Sequence, residues 1–270
     1  QDAVAMIGWP APQWLPESTL QLLQIGSSGW DAYESVNFKR LGIRFCTGKG
    51  NYTIGDVEHC LAMMMYFTRN FYEHFNDQQN HVFRRHENYG EITGSTACIV
   101  GLGEIGKALA KRCRGLEMQV IGVGREKHHA DESIDRYYAS TDILEAIAHA
   151  DHIFATLPGG QATRNFFSKE VLSHLKSDAC FYNVARGSVV DHDYLFTLLK
   201  EKKIRGAGLD VMETEPLPAD SRWWQLDNVL ITGHCGGLSA HWPDRFCKLA
   251  IENLTHFFQG KPLRNEILFN

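Results

Sequence analysis

The chain has 270 residues, 44% of them hydrophobic and 22% charged, with a formal net charge of −5; those fractions are those of a soluble globular protein with one large or two ordinary domains. Without clustered Lys and Arg, the acidic balance excludes the backbone neutralisation that a nucleic-acid partner requires. The longest fully apolar run, residues 60–67, is far short of the ~20 residues that span a bilayer, which predicts no membrane segment.

Residues 2–8, DAVAMIG, read as a strand that Trp9-Pro10-Ala11-Pro12 breaks. Residues 20–25 form a second strand, closed by Gly26-Ser27-Ser28-Gly29, and residues 42–46 a third, so a first α/β unit is expected before residue 50. A long helical pattern over 54–76 follows, with Val57, Leu61, Met64, Met65 and Phe71 on its apolar side. Methionines at that spacing are expected to pack in a core or a subunit interface. The polar, aromatic-spotted residues 81–89 read as a linker.

The rest is organised around TACIVGLGEIGK, residues 96–107. The apolar run 97–100 reads as a buried parallel strand that ends directly in Gly101-Leu102-Gly103-Glu104-Ile105-Gly106, with helix-forming residues over 107–114. Gly101 suits the tight turn out of the strand, Gly103 the approach of backbone to a pyrophosphate, and Gly106 the close packing of the next helix. The phosphates would sit on the free N–H groups and positive dipole end of that helix. Further strands are expected at 118–123, 153–157, 179–184, 204–209 and 229–232, separated by helices such as 141–149, 168–174 and 194–201. Strands alternating with helices predict a doubly wound parallel sheet. An amphipathic helix over 240–259, with Phe246, Leu249, Ala250, Leu254 and Phe257 inward, is stopped by Gly260-Lys261-Pro262.

Open parallel sheets bind ligands at the carboxyl ends of their strands. Arg186 follows the fourth of these runs, Asp210 the fifth, and His234 the sixth, with Glu215 in the loop after Asp210. Arg186 offers a planar, permanently charged fork for a carboxylate and its adjacent carbonyl. His234 suits proton donation near neutral pH, and Glu215 is the better placed carboxylate to fix its tautomer. Cofactor choice is read at the end of the second strand, where an NAD-preferring site usually carries Asp or Glu about twenty residues past the glycines. Gly124-Arg125 stands there, which favours NADPH over NADH, although Glu126 follows immediately.

Seven cysteines without CxxC spacing predict neither a disulfide framework nor a zinc site, and reduced thiols suit a cytoplasmic protein. No secretory signal is expected at the N-terminus. Thirteen histidines include adjacent pairs such as His128-His129, which do not present one helical face, so no metal is expected.

These stretches together resemble the D-isomer-specific 2-hydroxyacid dehydrogenases. The resemblance is carried by VGLGEIGKALAKR, HADHIFATLPGGQATRNFF, LKSDACFYNVARGSVVD, IRGAGLDVMETEPLP, NVLITGHCGG and GKPLRNEI, with the VEH and Arg69 helix pattern, and covers nearly the whole chain. It implies a Rossmann cofactor domain over 91–239 and a smaller flavodoxin-like α/β substrate domain from residues 1–90 with 240–270. In that frame Arg186 anchors the substrate carboxylate, His234 is the acid/base and Glu215 its partner. Ser28, Gly29 and the loop 7–10 line the substrate side, with Trp9 and Trp242 as candidates to narrow the pocket. Cofactor contacts are implied at residues 101–106, Gly124, Arg125, Leu157, Pro158, Thr163, Val184, Ala185, Asp210 and Gly236.

The resemblance further implies a homodimer acting on a small 2-keto or 2-hydroxy acid, of the glyoxylate and hydroxypyruvate type reduced with NADPH. The family also includes corepressors that keep this fold, so a nucleotide-sensing or catalytically inactive dinucleotide-binding protein is the alternative reading. Gly233 and Gly159-Gly160 stand where the family commonly has Pro and an apolar-Thr pair. The chain starts at what looks like the family's second strand, so an edge or face of the smaller domain is expected to need covering.

Overall fold

The structure is a computed structural model and describes residues 3–125 and 131–269. Asp2, Glu126 and the His128-His129 pair lie outside the described residues. In chain order the strands are β1 (Ala5–Ile7), β2 (Leu22–Gln24), β3 (Arg44–Cys46), β4 (Thr96–Val100), β5 (Gln119–Gly124), β6 (Arg136–Ala139), β7 (His152–Ala155), β8 (Cys180–Asn183), β9 (Gly206–Leu209) and β10 (Val229–Ile231). The helices are α1 (Phe38–Leu41), α2 (Thr53–Thr68), α3 (Phe71–Gln79), α4 (Glu104–Gly115), α5 (Ile143–Ala148), α6 (Lys169–Leu172), α7 (His192–Lys200) and α8 (Trp242–Phe258). The chain packs as two compact units, Gln1–Gly55 with Gly237–Asn270 and Asp56–Gly236. The packing therefore changes at residues 55 and 237, where the sequence reading placed the domain changes at 90 and 240.

The smaller unit holds a three-stranded parallel sheet in the order β1-β2-β3. Phe38 of α1 stacks on Phe45 of β3 with ring centroids 4.3 Å apart, and Leu23, Ile25 and Tyr33 complete a small buried core. The α1 helix is started by Asn37, whose Oδ1 accepts the Arg40 N–H, and stopped by Gly42 at φ 68°. Asn253 of α8 ties that helix to the sheet. Fully buried, it donates to Gln24 Oε1 at 2.6 Å and to the Arg264 carbonyl, and accepts the Arg264 N–H. The C-terminal tail covers the outer edge of β3, where Cys46 bridges Glu266 antiparallel, Ile267 N–H donates to Phe45, and Arg44 grips Glu266 through two 2.7 Å contacts.

The larger unit is a seven-stranded parallel sheet in the order β10-β9-β8-β7-β4-β5-β6. From β4 the chain winds outward through β5 and β6, then returns to the other side for β7 to β10. The boundary between β4 and β7 is thus the switch point at which doubly wound sheets bind ligands. On one face, Val57, Cys60, Met63, Met64 and Phe67 of α2 pack with Leu109, Ala110 and Cys113 of α4. On the other, Ile143 and Ile147 of α5 join Leu195, Leu198 and Leu199 of α7. A Cβ on Gly208 of β9 would lie 2.6 Å from the Met63 sulfur, so the glycine lets α2 lie directly on the sheet.

The helix expected over 54–76 is interrupted: Asn70 takes a left-handed φ of 55°, and its buried side chain donates to the Glu87 carbonyl and accepts from Arg205. Asn70 separates α2 from α3 and turns Phe71, expected on the apolar side, outward to 48% exposure. Strand β6 was not anticipated: RYYA sits at the sheet edge, half-exposed, and lacks the apolar run that marks the buried strands. The remaining strands fall within the predicted runs but are shorter at their ends, or start one residue earlier or finish one later.

Candidate active site

The glycine turn leaves β4 where the sheet reverses. Gly101 has φ 106°, and a Cβ there would stand 2.8 Å from the Thr156 carbonyl at the end of β7, so no other residue fits. Thr156 closes the turn by donating its hydroxyl to the Gly101 carbonyl at 2.7 Å. Gly106 seats α4 against the turn, because a Cβ on it would lie 2.0 Å from the Gly101 oxygen. Leu102 packs toward Gly122 of β5, and Ile105 joins the apolar cluster under α4. Gly103 is the extended N-cap residue of α4 and offers no side-chain cap, while a Cβ placed on it would meet nothing within 4 Å. The first-turn N–H groups, beginning at Glu104, therefore face an open cradle suited to a pyrophosphate. Arg125 is exposed directly after Gly124, the last residue of β5.

The loop after β7 carries Leu157 and Pro158, and the Thr163 hydroxyl donates to the Pro158 carbonyl at 2.7 Å. After β8, Asn183 shapes the turn that presents Arg186. Fully buried, Asn183 accepts the Ala185 N–H and donates to the Arg186 carbonyl, both at 3.0 Å. Val184 and Ala185 are buried beside it. Gly187 brings this loop against the one after β9, since a Cβ there would lie 2.0 Å from the Met212 oxygen.

Glu215, in the loop after β9, accepts the Met212 N–H through Oε1 at 2.9 Å and stands 2.8 Å from His234 Nδ1 through Oε2. His234 has a left-handed φ of 53°, and its own N–H donates to the Asp210 carbonyl at 2.7 Å. Asp210 is buried at the end of β9 with its carboxylate saturated: Oδ1 accepts the Thr232 hydroxyl and Cys235 N–H, and Oδ2 the Gly236 N–H. His59 of α2 reaches the same cluster, its Nε2 lying 2.9 Å from Thr232 Oγ1 and 3.6 Å from Asp210 Oδ1.

Arg186, Asp210, Glu215, His234 and Gly236 thus share the carboxyl rim of one sheet. Ser28 and Gly29 lie in the smaller unit, in the loop after β2, where the neighbouring Ser27 Oγ lies 3.3 Å from Trp9 Nε1. The sequence reading missed three polar residues. Asn183 falls inside an apolar strand run, Asp56 lies in a long helical pattern, and His59 belongs to its VEH stretch with no role attached, although the three-residue spacing of Asp56 and His59 on α2 puts both on one face.

A sequence model described as "D-isomer specific 2-hydroxyacid dehydrogenase, NAD binding domain" matches residues 61–236. The chain belongs to the D-isomer-specific 2-hydroxyacid dehydrogenase family. Within it, the "Probable 2-ketogluconate reductase" of Dictyostelium discoideum is 38% identical over 177 residues, 65% of this chain and 52% of that protein. The glyoxylate/hydroxypyruvate reductase B of Escherichia fergusonii is 35% identical over 177 residues, 65% of this chain and 54% of its own length. The matched part is therefore about half the length of these relatives. A family protein from Aeromonas salmonicida has a crystal structure that superposes with a TM-score of 0.90 at 28% identity, over 99% of this chain and 86% of that one. No helix among the described residues is long and apolar enough to cross a membrane.

Proposed function

We propose that this chain reduces a small 2-keto acid, of the glyoxylate or hydroxypyruvate type, to the D-2-hydroxy acid with NADPH. The observation that carries the reading is the His234–Glu215 contact on the rim that also holds Arg186 and the open glycine cradle. The larger unit would bind the dinucleotide, and the smaller unit would serve as the substrate domain.

The bound nicotinamide supplies hydride to the keto carbon. The chain's own groups do the rest. The α4 N-terminus holds the pyrophosphate, and Arg125 pairs with a 2′-phosphate that NADH lacks. Arg186 clamps the substrate carboxylate and draws its carbonyl into register with the imidazole. His234, with Nδ1 committed to Glu215, gives the proton on Nε2 to the carbonyl oxygen as charge develops there. Glu215 in turn stabilises the charged, proton-loaded ring.

The test is loss of NADPH and NADH absorbance, in parallel, with glyoxylate, hydroxypyruvate and pyruvate as acceptors. A charge-assisted contact from Arg125 contributes about 1.5–3 kcal/mol, so NADPH should lead by roughly ten- to a hundredfold in kcat/KM. Absence of turnover with every acceptor, while NADPH still binds, would overturn the enzymatic reading. The homodimer belongs to the same proposal, and the mass of the chain in solution tests it.

A further inference from the structure

One carboxyl at the rim has no part in the reduction described above. Asp56 lies in the first turn of α2, one turn before His59. A Cβ placed on Gly236 would meet Asp210 Oδ2 at 3.0 Å, His59 Cδ2 at 3.2 Å and Asp56 Oδ1 at 3.3 Å. Side chains from α2 and β9 therefore converge on one backbone position, two residues beyond His234. The two carboxyls differ in their partners. Asp210 is saturated by a hydroxyl and two backbone N–H groups, whereas among the described residues Asp56 has no hydrogen-bond partner.

The charged and titratable groups that face Asp56 come from every neighbouring element. They are Asp210 at the end of β9, His234 after β10, Arg186 after β8, and His59 and Cys60 on its own helix. Burial, then the Asp210 carboxylate, push the Asp56 carboxyl up to about 7, while His234 and Arg186 pull it back. Its charge thus changes near neutral pH.

A dinucleotide laid from the glycine turn across the switch point has its adenine ribose on the β5 side, by Arg125, and its nicotinamide on the β8–β9 side. That end of the cradle is where Asn183, Ala185 and Asp210 cluster. The nicotinamide ring is a cation when oxidised and neutral when reduced, so a nearby charge acts on the two forms differently.

We propose that Asp56 is a specificity-determining residue for the redox form of the cofactor: as a carboxylate it favours the oxidised nicotinamide cation, and as a carboxylic acid it leaves the two forms undistinguished. The inference rests on the dinucleotide reading above. It makes product cofactor hold more tightly as pH rises through neutrality, and binding of the oxidised form expel a proton from Asp56.

Titration calorimetry with NADPH and with NADP⁺, from about pH 5.5 to about 8.5, reads this without turnover. The 2′-phosphate titrates in both forms and cancels in the ratio of the two dissociation constants. In the unaltered chain that ratio should move toward the oxidised form by about tenfold as pH rises through neutrality. Asp56→Asn should flatten it, and Asp56→Glu should restore a pH-dependent ratio. A flat ratio in the unaltered chain overturns the proposal whatever the variants do, and so does an unchanged slope in Asp56→Asn, which would give the effect to His234 or His59. Binding of neither dinucleotide at any pH would remove the cofactor reading and this inference with it; binding with a flat ratio removes the inference alone.

Discussion

His234 Nδ1 lies 2.8 Å from one oxygen of Glu215, whose other oxygen accepts the Met212 N–H. The His234 backbone N–H is in turn held by the Asp210 carbonyl. Ring and backbone are both fixed from the segment that begins at the end of β9, which, in the proposed reduction, leaves Nε2 as the nitrogen for proton transfer. His234→Ala should therefore cut kcat by roughly 10²–10⁴ with 2-keto acids, while the dissociation constant for NADPH changes little. Glu215→Gln keeps a hydrogen bond to the ring but loses the charge beside it, so its loss in kcat should be smaller than that of His234→Ala. Near-full turnover in His234→Ala would remove the histidine from the reaction.

Arg186 is presented by a turn whose geometry Asn183 sets through two hydrogen bonds. Lysine at position 186 keeps the charge but not the planar fork. Arg186→Lys should raise KM for the keto acid by roughly ten- to a hundredfold, the equivalent of one lost charge-assisted hydrogen bond, with a smaller change in kcat. A KM within twofold of the unaltered chain would show that another cation receives the substrate carboxylate.

The glycine turn and the rim were legible because their constraints are local. A buried strand entering GLGEIG needs only neighbouring residues to define it, and Arg186, Asp210 and His234 each follow an apolar run whose end marks the binding edge of the sheet. What escaped depends on distant partners. The break at Asn70 is fixed by Glu87 and by Arg205, 135 residues away, and His59 gains its place only through Thr232, 173 residues on. Asp56 shows no local sign of its environment, since burial beside Asp210 sets it. The edge strand β6 has one pairing partner and half-exposed side chains, so its residues carry little hydrophobic signal.

Gly106 offers a test of the cradle independent of catalysis. A methyl group there would sit 2.0 Å from the Gly101 oxygen, backbone that Thr156 also holds. The clash is relieved only by moving the first turn of α4 off β4, which would displace the N–H groups proposed to meet the pyrophosphate. Gly106→Ala should weaken NADPH binding by at least about a hundredfold in equilibrium titration, equivalent to about 2.7 kcal/mol. Gly115→Ala, at the far end of the same helix and with open space around its Cβ, is the control and should bind as the unaltered chain does.

His152 couples stability to pH from within β7. The residue is 6% exposed, and Nδ1 lies 3.1 Å from the Tyr182 hydroxyl. Burial pushes it down to about 4 from an ordinary value of 6.5. Between those values the unfolded chain binds a proton that the folded chain does not, so stability rises with pH across that window. The full contribution is present above 6.5 and is lost as pH falls toward 4, an effect on the order of 3 kcal/mol. His192, buried at the start of α7 and lowered for the same reason, acts in the same direction. Asp56, raised to about 7, acts in the opposite direction over part of this window, so the comparison between proteins is the readout. The urea midpoint near pH 7 relative to that near pH 5 should be higher in the unaltered chain than in His152→Gln, which keeps a partner for Tyr182 but has no proton to gain. Equal separation in the two proteins would locate the acid sensitivity elsewhere.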